Sequence, residues 1–331
     1  MDLISKLQND DYTAFIPNTT EDFSEPFMEL MKRWKKACEF IISDYGENQM
    51  RKSTWTPPEG YKFSRFINNG INLEVLQQEH EPSDNVILMI HGGSFIYRMN
   101  DQFVTFMPSY AKAGRGATVV SVDYRVPPHV NYQGMIDDIV KTYQWLLHIG
   151  YSPSNIIIAG DSSGGGTALA TTLFIRDQGI ELPAGIVTLS ACTNLAANTQ
   201  SHIDNFYADK VFGGHYALRA RYKDFVGNDD YFNPYVSPYY GNYVGFPPML
   251  MQVGSTEIIL DDTLDIAEKA HRQGVDVTLE IYENMFHDFQ AVDGLFEEAN
   301  IAWANIQKFM DKAFSNNINQ ELEYSILQEQ A

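Results

Sequence analysis

The chain has 331 residues, of which 44% are hydrophobic, 13% aromatic and 20% charged. This composition indicates a folded protein with a sizeable core, and the length allows one large α/β domain with an appended cap or two ordinary domains, of which we favour the first. The net charge of −20 argues against nucleic acid and anionic membrane surfaces as partners, because both select basic patches.

The two cysteines, Cys38 and Cys192, lie far apart and have no spacing typical of a metal site or a disulfide framework. We expect both to be small core residues, and we expect no metal or other cofactor. Residues 1–6 lack a basic region followed by a long apolar run, and no stretch of the chain approaches the length of a membrane span. A cytoplasmic protein is therefore expected.

The first predicted elements are an amphipathic helix and a hairpin. Apolar residues recur at helical spacing over about residues 20–46, namely at Phe23, Phe27, Leu30, Met31, Trp34, Cys38 and Ile41. Residues 61–67 and 71–76 then flank Asn69 and Gly70, a pair that tolerates the positive dihedral angles of a tight hairpin turn. This hairpin opens the predicted sheet.

Buried strands then alternate with helices along most of the chain. Strands are predicted at 86–90, 117–122, 156–159, 186–189, 249–253 and 277–282, and helices near 101–113, 131–149, 258–273 and 295–314. The alternation predicts an α/β fold with a mainly parallel, doubly wound sheet. It is interrupted over 193–245, an aromatic-rich insertion expected to form a helical cap with loops whose rings pack together. Residues 315–331 are polar and are expected to fray.

A Gly-x-Ser-x-Gly turn follows the central predicted strand. It runs from Gly160 through Ser162 to Gly164 and precedes the helically spaced residues Ala168 and Leu169. Strand, sharp turn and helix in this order are typical of the nucleophile elbow of α/β-hydrolases, which exposes the serine hydroxyl at the start of a helix. A purely structural turn is the alternative, and the flanking strand and helix patterns favour the elbow. Ser162 is the predicted nucleophile.

A serine nucleophile needs a histidine base and an acid to orient it, and in this fold they follow the serine in the order acid, histidine. That order excludes the four earlier histidines, at 80, 91, 129 and 148, and leaves His202, His215, His271 and His287. His202 and His215 fall in the cap insertion and His271 within a predicted helix. His287 follows the strand over 277–282 in a loop that can reach the carboxyl edge of the sheet, so it is the predicted base.

Four acids are available to orient that base: Glu257, Asp261, Asp262 and Asp265. Glu257 falls in the short loop after the strand over 249–253, where the active-site groups of open α/β folds gather. The three aspartates fall on the next predicted helix. Asp261 and Asp265 lie four residues apart on one face, where a structural role is expected. Glu257 is the predicted acid.

Four motifs together resemble the hormone-sensitive-lipase-like family of carboxylesterases over roughly residues 60–315: the run from His91 to Ser94, the elbow, Asp123-Tyr124-Arg125 and the stretch 254–262. The resemblance implies an oxyanion hole from Gly92, Gly93, Ser94 and Ser163, in which Gly92 shapes the turn and the other three donate amides. It also implies that the acid stands at Glu257, usually aspartate in the family, and that His91 is structural.

The same resemblance implies a catalytic core of residues 61–194 and 246–331 under a cap of 1–60 and 195–245. The chain departs from the family where Ser94 replaces a third glycine and where Val126-Pro127-Pro128 replaces the usual Leu-Ala-Pro, which leaves the acyl pocket open. Arg125 and Asp123 are expected to form structural ion pairs.

These observations predict a serine carboxylesterase that hydrolyses short-chain acyl esters through an acyl-enzyme intermediate. A non-catalytic receptor for a small ligand on the same fold is one alternative, against which His287 argues. An amide or peptide hydrolase is another and stays open, because it shares the acyl-enzyme chemistry. The expected partner is a small-molecule ester, with no nucleic acid and no membrane; a homodimer stays an option.

Overall fold

The computed structural model describes residues 55–212 and 217–329. The helix predicted over 20–46 and Cys38 lie outside these residues. Within them, eight strands form one sheet in the spatial order β1-β2-β4-β3-β5-β6-β7-β8. The strands are β1 (Tyr61–Asn68), β2 (Ile71–Gln78), β3 (Val86–Ile90), β4 (Thr118–Asp123), β5 (Ile156–Asp161), β6 (Gly185–Leu189), β7 (Met249–Gly254) and β8 (Val277–Tyr282).

The sheet is antiparallel at one edge and parallel elsewhere, as the sequence predicts. β1 and β2 form the predicted hairpin, with Asn69 and Gly70 at φ of 50° and 80°. β2 also runs antiparallel to β4, while every pair from β4 through β3 to β8 is parallel. The carboxyl ends of the parallel strands therefore share one edge, where a ligand site of an open α/β sheet is expected.

Helices connect the strands at nearly the predicted positions. They are α1 (Asp101–Val104), α2 (Phe106–Ala113), α3 (Tyr132–His148), α4 (Ser162–Asp177), α5 (Ser201–Asp204), α6 (Ala217–Val226), α7 (Leu260–Arg272) and α8 (Glu297–Glu329). The single helix predicted over 101–113 is wrong in one respect, since the chain forms two short helices that meet at Thr105. The expectation that residues 315–331 fray is also wrong as far as Glu329, because α8 continues through them.

The central strands bury both of their faces, which explains their continuous apolar sequence. In β3, Leu88 and Ile90 pack into the core layer of α3, whereas Ile87 and Met89 pack into the opposite layer with α2 and α8. All four side chains are excluded from solvent, and complete burial of one such side chain contributes about 1.5–3 kcal/mol. The sheet is therefore packed between two helical layers, which hold the carboxyl ends of its strands in place.

The structure tests two expectations from the sequence, the ion pairs of Arg125 and Asp123 and the burial of Cys192. Arg125 pairs with the buried Asp138 at 2.7 Å and Asp123 pairs with Arg98 at 2.7 Å, so both form ion pairs as predicted, although not with each other. Cys192 is half-buried beside the core instead of within it. Among the described residues, no helix combines the length and apolar character needed to cross a bilayer.

Candidate active site

Ser162 occupies a sharp turn between β5 and α4. Its φ is 51°, in the left-handed region that costs a side-chain-bearing residue about 1–3 kcal/mol. A Cβ on Gly160 would lie 2.5 Å from the carbonyl oxygen of Gly164, and a Cβ on Gly164 would overlap the carbonyl oxygen of Ile90. Both glycines are therefore needed for the turn to form. The turn places Ser162 at the carboxyl edge of the sheet and at the first position of α4.

Glu257 and His287 meet from two loops at this edge. Oε2 of Glu257 lies 2.8 Å from Nδ1 of His287, and both residues are almost fully buried. The other carboxylate oxygen of Glu257 accepts hydrogen bonds from the amide of Gly254 at 2.6 Å and from the hydroxyl of Ser190 at 2.8 Å. The carboxylate is thus held on both oxygens, and its partner imidazole presents Nε2 on the opposite side of the ring.

Burial alone would lower the pKa of His287, because it disfavours the charged ring. The adjacent carboxyl group of Asp288 and the hydrogen bond to Glu257 outweigh burial and raise the pKa of His287 to about 9. Within the described residues Nε2 has no aligned hydrogen-bond partner, so no hydrogen bond joins it to Ser162 in this state. The neutral form of the ring therefore has an open proton-accepting position at Nε2.

The loop after β3 turns sharply through three left-handed residues. Gly93, Ser94 and Phe95 have φ of 114°, 54° and 63°, and the carbonyl of Gly93 accepts hydrogen bonds from the amides of Ile96 and Tyr97, each at 3.1 Å. No hydrogen bond in the described part of the chain uses the amide of Gly93 or Ser94. Their N–H groups are thus available to a ligand.

Gly92 and Ser163 differ in what their amides can do. The amide of Gly92 donates to both carboxylate oxygens of Asp161, at 3.0 and 3.1 Å, so it is already used inside the protein. Ser163 is the second residue of α4, where backbone N–H groups have no acceptor within the helix. Of the four residues predicted for the oxyanion hole, Gly93, Ser94 and Ser163 have usable amides, whereas Gly92 anchors the turn.

His91 holds the start of the loop after β3 in place through ring stacking and a hydrogen bond. Its fully buried ring stacks on Tyr124 and Phe103 at centroid distances of 4.2 and 4.9 Å. The hydroxyl of Tyr124 donates to the carbonyl of His91 at 2.6 Å. Burial lowers the pKa of His91 to about 4, which keeps the ring neutral and suited to packing.

The three alternative acids, Asp261, Asp262 and Asp265, lie on α7 and form hydrogen bonds with the long segment between β6 and β7. Asp261 accepts a hydrogen bond from the amide of Ser201 at 2.7 Å, and Asp265 accepts one from the hydroxyl of Tyr239 at 2.6 Å. Asp262 accepts from Asn194, Thr199 and His202, at 3.2, 2.7 and 3.1 Å. Because all three aspartates form hydrogen bonds with this segment, none of them is the partner of His287.

Sequence reasoning missed several side chains that complete the site. Ser190 fixes Glu257, Asp161 fixes Gly92, and Asp288 lies beside His287. Asp161 and Asp288 are adjacent in sequence to predicted catalytic residues, but nothing in the pattern indicates where their side chains point. Ser190, at the end of β6, could have been suspected only from its position at the carboxyl edge of the sheet.

Comparison with known proteins agrees with this geometry. A family model described as the α/β hydrolase fold matches residues 87–291. An esterase from Acinetobacter venetianus is 36% identical over 225 residues, which cover 68% of this chain and 74% of that protein. An acetyl-hydrolase from Streptomyces hygroscopicus is 34% identical over 61% of this chain and 67% of its own length. The chain belongs to the hormone-sensitive-lipase-like carboxylesterases of the α/β-hydrolase family.

Solved structures support the same assignment. A bacterial esterase of the hormone-sensitive lipase family superposes with a TM-score of 0.74 and 30% identity, covering 79% of this chain and 87% of that one. A hormone-sensitive lipase from a metagenome library gives a TM-score of 0.76 and 29% identity, over 87% and 98% of the two chains. The enzyme is a carboxylic ester hydrolase, and the receptor alternative is not favoured.

Proposed function

We propose that the esterase hydrolyses short-chain acyl esters through an acyl-enzyme formed on Ser162, with His287 as base and Glu257 as the acid that orients it. The observation that supports this proposal is the buried pair of Glu257 and His287, at 2.8 Å, which leaves Nε2 as the atom that can accept a proton. A carboxylate on Nδ1 fixes the tautomer that a serine esterase requires and stabilises the imidazolium formed during reaction.

In the first half of the reaction, Oγ of Ser162 attacks the ester carbonyl and its proton moves to Nε2 of His287. The carbonyl oxygen becomes an oxyanion, which the free amides of Gly93, Ser94 and Ser163 are suited to bind. The tetrahedral intermediate collapses, the bond to the alcohol breaks, and His287 returns the proton to that alcohol. Water then attacks the acyl-enzyme through the same two proton transfers and releases the carboxylic acid.

An apolar pocket beside the elbow helix supports a preference for short acyl groups. Its lining includes Phe95, Gly166 and Phe225, and the gap between these residues is too narrow to admit a water molecule. Gly166 lies one helical turn after Ser162, and Phe95 directly follows Ser94. The rings of Phe95 and Phe225 close the pocket at a centroid distance of 4.3 Å. A long chain would have to displace these rings.

We also propose that residues 195–245 act as a cap over the core of 61–194 and 246–331; the remaining cap segment, 1–60, lies mostly outside the described residues. Phe212 from this cap packs edge-on against the His287 ring at a centroid distance of 4.3 Å. Asn205 donates to the carbonyls of Ser255 and Glu257, at 3.1 and 2.8 Å. These contacts couple the cap to the loop that carries the acid.

Covalent labelling tests the mechanism. An organophosphate should add one adduct on Ser162, located by peptide mass spectrometry, and Ser162→Ala should abolish both adduct and ester hydrolysis. Labelling of Ser163 instead would contradict the proposal. Acyl esters of two to twelve carbons, assayed beside matched amides, should show a maximum at short chains, whereas preferential amide turnover would favour the amidase alternative.

Two further proposals concern the protein's setting. A cytoplasmic location stays a proposal, and the exposed edge strand β8 offers a surface on which a homodimer could form. Cell fractionation tests the first and light scattering of the purified protein tests the second. A particle with the mass of one chain across the assay concentrations would exclude the dimer.

A further inference from the structure

A second carboxyl group lies on the catalytic side of the His287 ring. Oδ2 of Asp288 is 3.3 Å from Nε2, while Oε2 of Glu257 is 2.8 Å from Nδ1. Both acids are buried, Asp288 with only 6% of its surface exposed. The imidazole is therefore enclosed between two carboxyl groups, whereas the proposed mechanism requires only one of them.

The backbone holds Asp288 in this position by specific contacts. Its φ of 56° is left-handed, a conformation that aspartate tolerates better than most residues. Its amide donates to the hydroxyl of Ser190 at 3.0 Å, and the same hydroxyl donates to Glu257 at 2.8 Å. One serine thus sets the positions of both acids relative to the ring.

The charge of Asp288 has few other ways to be stabilised. Its second oxygen, Oδ1, is buried and has no hydrogen-bond partner within the described residues. A buried carboxylate in that condition is costly unless an opposite charge lies near it, and the neighbouring charge is that of the His287 imidazolium. The contact to Nε2 is not an aligned hydrogen bond, so it does not occupy the position that must receive the Ser162 proton.

Several other ionisable groups act on the pair. Glu257 and, at longer range, Asp209 of the cap and Asp161 of the elbow act on His287, and the buried Tyr110 of α2 lies within electrostatic reach of Asp161 and Asp288. Every one of these groups is acidic, so none supplies a second cation. Burial raises the pKa of Asp288 while His287 opposes that rise, which means that the two residues compete for one proton.

We propose that Asp288 is a positioning residue whose carboxyl group makes His287 and Asp288 hold one proton jointly and so sets the lowest pH at which the esterase works. The inference rests on the proposed role of His287 as base. While the joint proton is bound, Nε2 cannot accept the proton of Ser162. Once that proton has left for solvent, the same carboxyl group favours the imidazolium that forms as Ser162 attacks.

The decisive measurement is the pH dependence of kcat/KM for p-nitrophenyl acetate between about pH 5 and 10. Replacing Asp288 by asparagine removes the joint proton site, so the acidic limb should move to lower pH by about 1–3 units, the shift expected for loss of an opposite charge at this distance. Asp288→Glu should restore most of the limb. On the alkaline plateau kcat should fall with KM nearly unchanged, because the imidazolium loses stabilisation.

Asp293→Asn is the matched control, since Asp293 is a carboxylate in the same loop that accepts a hydrogen bond from the exposed hydroxyl of Ser109, at 3.0 Å. Its profile should coincide with that of the parent. A folded Asp288→Asn enzyme with an unmoved acidic limb would overturn the proposal. If Asp288→Asn does not fold, Asp288→Ser gives the same comparison, with circular dichroism as the check on folding.

A second readout does not depend on turnover. In the Ser162→Ala background, nitrogen NMR of the His287 ring should show that its protonated form persists to higher pH when Asp288 is intact than when it carries the Asp288→Asn change. Equal titration in the two proteins would overturn the inference. Failure of the proposed function is distinguishable, because the organophosphate would then not label Ser162 in the parent protein, whatever the pH profile of the variants.

Discussion

Glu257 contacts His287 across two loops, with Oε2 only 2.8 Å from Nδ1 and both side chains almost wholly shielded from water. The remaining oxygen of Glu257 is bound by the amide of Gly254 and the hydroxyl of Ser190. A glutamate side chain is longer than the aspartate side chain usual in the family, and these two donors hold its carboxylate in place while the other oxygen contacts the ring.

Glu257→Gln should lower kcat by roughly 10³–10⁴, because an amide cannot both fix the tautomer and stabilise the imidazolium. KM for short acyl esters should change little. Asp261→Asn is the control. It weakens the hydrogen bond from the amide of Ser201, so it should lower the melting temperature and leave kcat nearly unchanged. Near-normal turnover of Glu257→Gln together with loss of turnover in Asp261→Asn would show that the acid is misassigned.

Asp161→Ala should act mainly by impairing the loop after β3, which carries Gly93 and Ser94, because Asp161 has no hydrogen bond to His287 among the described residues. The amide of Gly92 would lose both carboxylate contacts and become a buried donor without a partner, at a cost of about 1–3 kcal/mol. Expressed as transition-state stabilisation, this is a loss of roughly 5–150-fold in kcat/KM. Asp161→Asn keeps one acceptor and should lose less. Equal losses in both variants would mean that the carboxylate acts by charge instead of by holding the turn.

Burial raises the pKa of Asp161 to about 7. The folded state therefore favours the neutral acid, and the stability contributed by that neutral form is present below the unfolded pKa and is lost as pH rises through about 7. The unfolding free energy of the parent, measured by denaturant titration, should therefore decline as the pH rises from the unfolded pKa of aspartate to about 7. The decline should be smaller in Asp161→Asn, and an identical decline would contradict the assignment.

Ser94→Gly should leave activity on acetyl esters within about tenfold, or about 1.4 kcal/mol, since only the backbone amide is expected to serve the oxyanion. Glycine adopts the φ of 54° found at this position without strain, so the loop should keep its conformation. Kinetics on acetyl esters with small and bulky alcohols provide the measurement. A loss near a thousandfold would mean that the hydroxyl of Ser94 takes part in catalysis.

Phe225→Leu should shift acyl preference towards longer chains. The smaller side chain opens the closed contact with Phe95, and each additional buried methylene of an acyl chain contributes about 0.8 kcal/mol. The ratio of kcat/KM for hexanoyl over acetyl esters should rise about tenfold or more. Phe246→Leu, in a different core cluster, is the control and should lower stability without changing this ratio. An unchanged ratio in Phe225→Leu would place the acyl chain elsewhere.

The sequence by itself determined the parts of this protein that local pattern encodes. The hairpin at Asn69 and Gly70 requires positive dihedral angles, and the continuous apolar runs of the central strands require burial on both faces. These demands act over a few residues, so the strand and helix positions were predictable. The order of Ser162, Glu257 and His287 along the chain likewise suggested which side chains would meet.

The tertiary structure alone decided how the neighbours of those residues are used. Gly92 donates its amide to Asp161, which is 69 residues away, and Asp288 places its carboxyl group on the Nε2 side of the ring instead of facing solvent. The break at Thr105 between α1 and α2 was equally invisible in the periodicity. Side-chain direction and long-range hydrogen bonding depend on how separate strands end beside one another, and no spacing within a single segment records that arrangement.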